Sequence, residues 1–467
     1  MDVTAAATAG LWAVLAAVQH ELLLFCAVFF ALGALDDLAL DCAWATRAAR
    51  RPQSFDRLPT PAAADRLAVL IPAWREAGVI GATLTGAARA WSGQPVTVFV
   101  GVYRNDPAGI AEVLAVAARH RMIRPVLLDA DGPTSKAHCL NRLWLALRSF
   151  EERHRRRFRA VALHDAEDHV HPGEVRLYLG LMQQAQMVQL PVLPLLHRGG
   201  GRFADWMAGH YADEFAEAHG KQLAARARLC PGFPAAGTAC AFDRALLGRL
   251  AQRRGDAPFA ADSLTEDYEL GLIVPELGGR AMLADVRDAG GRVAVRAYFP
   301  HRIDAAVRQK SRWITGIALA GWDRIGWRGR LSERWMLLRD RRAPLAALVL
   351  TAGYMLALVT LLLVAGGAAG LGELVAPTPL TANLMLFNAG ALVLRLAMRM
   401  VFTARAYGLA EGLAAVPRAL VSNMVAILAA RRALLRYAGA IAGRPLAWEA
   451  TRHKPPPRIE SGEPHWA

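Results

Sequence analysis

The sequence predicts an α/β domain, built on a mostly parallel sheet, that is held to a membrane by apolar helices. Two observations carry that prediction. Four short apolar runs, at 66–74, 95–103, 124–130 and 159–166, alternate with longer helix-like segments; such runs are the pattern of strands buried on both faces of a parallel sheet. Both ends of the chain also carry apolar stretches of the roughly 20-residue length that crosses a bilayer. Composition agrees: of 467 residues, 54% are hydrophobic and 20% charged, too apolar for an ordinary soluble enzyme and too charged for a pure membrane bundle. The length accommodates two or three domains of roughly 150 residues, with a core that needs no disulfide staple. Collagen-like, disordered and small secreted classes are excluded. Cys26, Cys42, Cys139, Cys230 and Cys240 are widely spaced with no CxxC, so they form neither a zinc site nor a disulfide framework and read as core residues in a reducing compartment.

Taken in order, residues 1–41 form the first membrane helix, nearly all apolar from 9 to 40 and interrupted only by Gln19, His20 and Glu21 before Asp36 and Asp37. No basic residue precedes Arg47, so the cleaved-signal alternative lacks its charged leader. Residues 42–340 follow as the α/β domain. Residues 341–451 return to the membrane, with a second span at Ala343 to Gly366 and a third from about Leu380 to Phe402 that carries Arg395 and Arg399 near its end. Arg47, Arg50 and Arg51 follow the first span, Arg339, Arg341 and Arg342 precede the second, and Arg399 and Arg405 close the third. By the positive-inside rule, the N-terminus lies outside and the α/β domain is cytoplasmic. A fourth apolar stretch, Val416 to Ala430, has Arg418 on one side and Arg431, Arg432 and Arg436 on the other, which predicts a helix lying in or dipping into the interface. Residues 452–467, rich in proline and polar residues, read as a flexible tail.

The formal charge is +15, with lysine only at 136, 221, 310 and 454. A basic balance suits nucleic acid, anionic lipid or phosphate-bearing substrates. Nucleic acid is excluded as the partner, because no basic stretch is interleaved with aromatics in a recognisable module. The run 151–159 (EERHRRRFR) reads as a solvated helix face or a contact to anionic lipid.

Ligands on parallel sheets bind at the carboxyl ends of the strands, so the polar residues after each run are the informative ones. These are Trp74, Arg75 and Glu76; Arg104, Asn105 and Asp106; Asp129 to Lys136; and His164 to Asp168. Each alone could be a solvated loop. Together they suit a nucleotide diphosphate with a divalent metal, since carboxylates hold such an ion through oxygen and lysine meets phosphate.

Four motifs then occur in order: Asp106 in YRND, Asp165-Ala166-Glu167, Thr265-Glu266-Asp267, and Gln309-Lys310-Ser311-Arg312-Trp313. In these the chain resembles the membrane-bound glycosyltransferases of family 2, with their Rossmann-like GT-A fold and cellulose-synthase-like architecture, over about Leu67 to Trp322. The wording TEDYELG, RQKSRWITGI and VPRALVSNMVAILAARRALLRY is most similar to the subgroup containing bacteriophage N4 adsorption protein B. Some relatives in that subgroup carry a C-terminal cyclic-di-GMP-binding domain, which this chain, ending soon after Trp448, is expected to lack.

The resemblance implies roles. Asp106, with Pro72 and Glu76 shaping the first loop, would bind the uracil of a UDP-sugar, and Lys136 would lie near its phosphates. Asp165 and Glu167 would hold Mg²⁺ or Mn²⁺ on the diphosphate, with Asp168 the alternative to Glu167. Asp267, beside Glu266, would be the general base of an inverting transfer, and Arg312 would neutralise the leaving diphosphate. Gln309 and Trp313 would contact the acceptor, and Gly237, in the small-residue segment 234–244, would let the backbone approach it closely. The implied enzyme sits in the bacterial cytoplasmic membrane, contacts lipid, elongates a cell-envelope or exopolysaccharide glycan, and is able to work with an outer-membrane export partner.

Blander readings stand beside these. Trp313 could be core or an interfacial anchor, Asp267 could cap the helix that follows it, and His164, His169 and His171 could scaffold a phosphate site or be exposed, which suits their placement better than zinc binding does. The rival functions are single-sugar transfer to a lipid-linked acceptor and a catalytically silent membrane scaffold for glycan export. A transporter is disfavoured, because three spans show no paired inverted repeat.

Overall fold

The computed structural model describes residues 3–46, 52–196, 201–369, 374–444 and 446. All four expected apolar runs are strands, Leu67–Pro72, Val96–Tyr103, Ile123–Leu128 and Ala160–Leu163. The runs carry no polar alternation because both faces of this sheet are covered. Ala68, Leu70 and Val161 pack into one apolar cluster, while Leu67, Val69 and Ala162 pack into the other.

Seven strands form the main sheet, in the order Ile123–Leu128, Val96–Tyr103, Leu67–Pro72, Ala160–Leu163, Cys240–Asp243, Met187–Gln189, Ala281–Leu283. Only Cys240–Asp243 runs antiparallel to its neighbours. Helices Ile80–Ala90, Pro107–Ala117 and Lys136–His154 make the crossovers between the first four strands. Their starts are chemically marked: Asp106 accepts from Gly109 N–H and Ser135 from His138 N–H, each satisfying a donor the helix leaves unpaired. The strand order reverses direction between Leu67–Pro72 and Ala160–Leu163, and a crevice opens there at the carboxyl ends.

Four helices are long and apolar enough to cross a membrane: residues Gly10–Ala45 of the helix Val3–Ala45, then Ala343–Ala368, Pro379–Tyr407 and Leu409–Ile441. The first three contain the expected spans. The stretch expected to lie in the interface is part of Leu409–Ile441, one helix of 33 residues that continues through Pro417. Arg418, counted from the sequence as a flanking interfacial charge, is 3% exposed and faces Asp213 instead, so it no longer argues against a crossing. Arg395 and Arg399 are accommodated in an apolar helix in the same way, by pairing with Glu217 and Asp213. Arg47, Arg50, Arg51 and the tail 452–467 lie outside the described residues.

Candidate active site

The crevice is lined by Pro72, Trp74, Glu76, Tyr103, Lys136, Asp165, Glu167, Glu266, Asp267, Gln309, Arg312 and Trp313, among others. They arrive from several elements. Pro72 ends a central strand, Lys136 is the first residue of its helix, and Asp165 and Glu167 sit in the turn after Ala160–Leu163. Glu266 and Asp267 open the helix Glu266–Ile273, where the helix dipole favours carboxylates. Gln309, Arg312 and Trp313 project from one face of the helix Ile303–Ile314 because three- and four-residue spacings share a helical face.

Lys136 is the centre of the cluster. Its Nζ donates to Asp165 Oδ1 and, at 2.9 Å, to the Gly237 carbonyl. Burial opposes its charge, but Asp165, Glu266 and Asp267 hold it protonated above the ordinary lysine range. Gly237 has φ +77°, and a Cβ there would stand 2.1 Å from Asp267 Oδ2. The backbone at Gly237 therefore approaches the candidate base closely. Thr265 makes no side-chain cap to its helix, while Asp267 Oδ1 accepts from Tyr268 N–H at 2.8 Å. Burial, reinforced by Asp267, pushes Glu266 up to about 7, and burial also raises Asp267. Glu266 Oε1 and Gln309 Oε1 are buried without a hydrogen-bond partner.

Among the described residues no group of three or more His, Cys, Asp or Glu could hold a metal ion. Asp165 and Glu167 nevertheless supply an all-oxygen pair of the kind Mg²⁺ or Mn²⁺ takes together with phosphate oxygens. Burial and the neighbouring Asp165 and Asp168 raise Glu167 well above the ordinary carboxyl range, a crowding that a cation would relieve. The residues present fit such an ion.

One expected residue is not brought to the crevice. Asp106 Oδ2 accepts from Arg75 N–H at 2.8 Å and Oδ1 from Gly109 N–H at 3.2 Å; its carboxylate is 6% exposed and ties the first loop to the second. Helix capping has claimed it, because the following Pro107 opens a helix whose first amides need an acceptor. His164 is scaffolding, as the sequence suggested: its two ring nitrogens lie 2.9 Å from Asp168 and 3.1 Å from Glu174. Trp313 packs on Tyr211 in an apolar cluster with Met207, Ala306 and Val425 and also lines the crevice.

Sequence reasoning gave Tyr103 and Thr238 no role. Tyr103 is the last residue of its strand, so the carboxyl-end rule could have included it. Its hydroxyl meets Thr134 Oγ1 at 2.6 Å, and its ring meets Trp74 edge-on at 5.1 Å. Thr238 had no signal beyond its place next to Gly237.

Residues 64–316 match the family model described as Glycosyltransferase like family 2. Bacteriophage adsorption protein B of Escherichia coli strain K12 and Bacteriophage N4 adsorption protein B of Escherichia coli O157:H7 are each 32% identical over 458 residues, which cover 91% of this chain. The chain spans 61% of the length of these curated relatives. Among solved structures, the mannosyltransferase PcManGT from Pyrobaculum calidifontis, in complex with GDP-Man and Mn²⁺, superposes with a TM-score of 0.52 at 19% identity, covering 85% of this chain and 99% of that one. At that identity the likeness shows the fold, a GT-A-like one.

Proposed function

We propose, given that this chain belongs to the Glycosyltransferase like family 2, that it transfers a sugar from a UDP-sugar to a growing cell-envelope or exopolysaccharide glycan, with inversion at the anomeric carbon. The carrying observation is the convergence of Lys136, Asp165, Glu167, Glu266, Asp267 and Arg312 on one crevice at the strand ends. Asp267, raised by burial and held against Gly237, takes the acceptor hydroxyl proton as that oxygen attacks opposite the nucleotide. Lys136 and Arg312 receive the negative charge that develops on the diphosphate. Asp165 and Glu167 would hold Mg²⁺ or Mn²⁺, which when bound supplies further charge neutralisation to the leaving group. Trp313 and Gln309 face the acceptor side, the indole offering an apolar surface for a sugar ring. The four long apolar helices support a membrane location for this chemistry, which we read as the bacterial cytoplasmic membrane with the catalytic domain inside. Lipid is then a partner along those helices, and an export partner would take the product outward.

UDP as the nucleotide rests on the family resemblance and not on Asp106, whose carboxylate is taken by the Arg75 and Gly109 amides, while the mannosyltransferase of similar fold is in complex with GDP-Man. The test is release of nucleoside diphosphate by the detergent-solubilised full chain with Mn²⁺, screened over UDP-hexoses, UDP-N-acetylhexosamines and GDP-mannose beside Asp267→Asn. Sugar-selective release with a UDP donor that vanishes in the variant supports the proposal. Release from GDP-mannose alone overturns the choice of nucleotide, and metal-dependent binding without release by any donor moves the silent scaffold forward.

A further inference from the structure

On the wall of the crevice, three donors converge on one oxygen. Asp168 Oδ2 accepts from His164 Nδ1 at 2.9 Å, from the Asp165 N–H at 3.0 Å and from the Thr238 hydroxyl. The first donor is part of a buried chain. His164 Nε2 lies 3.1 Å from Glu174 Oε2, and Glu174 Oε1 accepts from His171 N–H at 2.6 Å. The other two donors belong to opposite sides of the site, Asp165 to the turn facing the diphosphate and Thr238 to the loop carrying Gly237. From the other side that loop is held by Gln189, whose Nε2 donates to the carbonyls of Thr238 and Ala239 at 3.0 and 2.9 Å and whose Oε1 accepts from Ala236 N–H at 2.9 Å.

We propose that Asp168 is a positioning residue, not a metal ligand: it ties the Asp165 turn to the Gly237 loop and thereby fixes the separation between the donor diphosphate and Asp267. The inference rests on the transferase reading of the same site. Gly237 contacts both halves of the chemistry, its carbonyl on Lys136 and its α-carbon against Asp267, so a loosened Thr238 moves the base and the phosphate-side lysine together. Asp168 also lines the crevice, but its Oδ2 is already filled by the His164, Asp165 and Thr238 donors. Asp168 Oδ1 is buried without a hydrogen-bond partner. Metal ligation, the competing role, would have to act through that atom.

The two roles separate on the choice of substitution. Asp168→Asn keeps a carbonyl oxygen for the three donors but puts an amide nitrogen, which cannot ligate, at the Oδ1 position; Asp168→Ala removes both. With the full chain in detergent, we expect Asp168→Asn to bind UDP with Mn²⁺ within about threefold of the unsubstituted protein and Asp165→Asn to lose that binding. Asp168→Ala and Thr238→Val should each lower kcat for donor turnover by about 100-fold, with KM little changed. Both should speed amide hydrogen exchange across 236–239, and Thr238→Ser should restore slow exchange and turnover. Loss of Mn²⁺-dependent UDP binding in Asp168→Asn equal to that in Asp165→Asn, or unchanged exchange in both Asp168→Ala and Thr238→Val, overturns the proposal. If the unsubstituted chain binds no nucleotide with metal, the transferase reading fails, while the exchange comparison still decides whether Asp168 anchors the loop.

Discussion

Two buried charge clusters, only helices apart, are built to opposite ends. Where the catalytic domain meets the long apolar helices, Asp213 is matched from several directions: its carboxylate takes Arg418 through two bonds of 2.7 and 3.0 Å, Arg399 at 3.2 Å and the Thr403 hydroxyl at 3.3 Å. In the crevice, Glu266 Oε1, Gln309 Oε1 and the Thr265 hydroxyl are buried without a hydrogen-bond partner, and burial beside Asp267 pushes the Glu266 carboxyl up to about 7. Buried polar groups are ordinarily satisfied. A cluster that is satisfied internally holds elements together, and one that is left short is waiting for something from outside.

The sharpest way to break the contrast is to remove the acid from each cluster. Asp213→Ala leaves Arg399 and Arg418 facing each other across a buried junction, and removing one partner of a buried ion pair costs about 3–5 kcal/mol. Thermal unfolding in detergent should shift far downward, with nucleotide affinity of the protein that remains folded little altered; an unchanged melting temperature would show that the junction is not held as its geometry implies. Asp267→Asn should do the reverse. Donor turnover should fall by about 10³-fold, within the span ascribed to a positioned base, with melting unchanged or raised because a buried carboxyl with a raised pKa has been neutralised.

Gly237→Ala sharpens the comparison at one atom. The added methyl would stand 2.1 Å from Asp267 Oδ2 and requires φ +77° of a residue that resists it. Displacing the base by even a fraction of an ångström should cost about 100-fold in kcat. The check is steady-state kinetics beside a melting curve: a loss of turnover that simply follows a loss of folded protein would count against the close-approach role.

The two regions also differ in how much the sequence could disclose. Strand positions and the crevice were readable because periodicity and strand ends are local properties, whereas Gln309, Arg312, Trp313 and Gly237 were singled out only through the resemblance. Asp106 was misplaced, since an acidic residue before a proline serves a helix cap as well as it serves a ligand, and only the fold decides between them. Pairings such as Asp213 with Arg418, 205 residues apart in the chain, leave no local trace. Arg418 therefore looked like an interfacial flank, and Asp168 looked like a third candidate ligand.

The smallest expected effect is a pH dependence confined to the crevice. The Glu266 carboxyl is held up to about 7 by burial and by Asp267, and Asp267 is itself raised. Both are protonated at low pH, and a protonated base cannot accept the acceptor's proton, so kcat should rise as pH increases and level off above about 7. The midpoint belongs to the pair and not to either residue. Glu266→Gln removes one of the two negative charges, so the remaining carboxyl ionises more readily and the midpoint should move to lower pH, lifting kcat near pH 6 by up to about tenfold relative to its own plateau. An acid limb that stays in place in Glu266→Gln would mean that the group titrating near 7 lies elsewhere in the crevice.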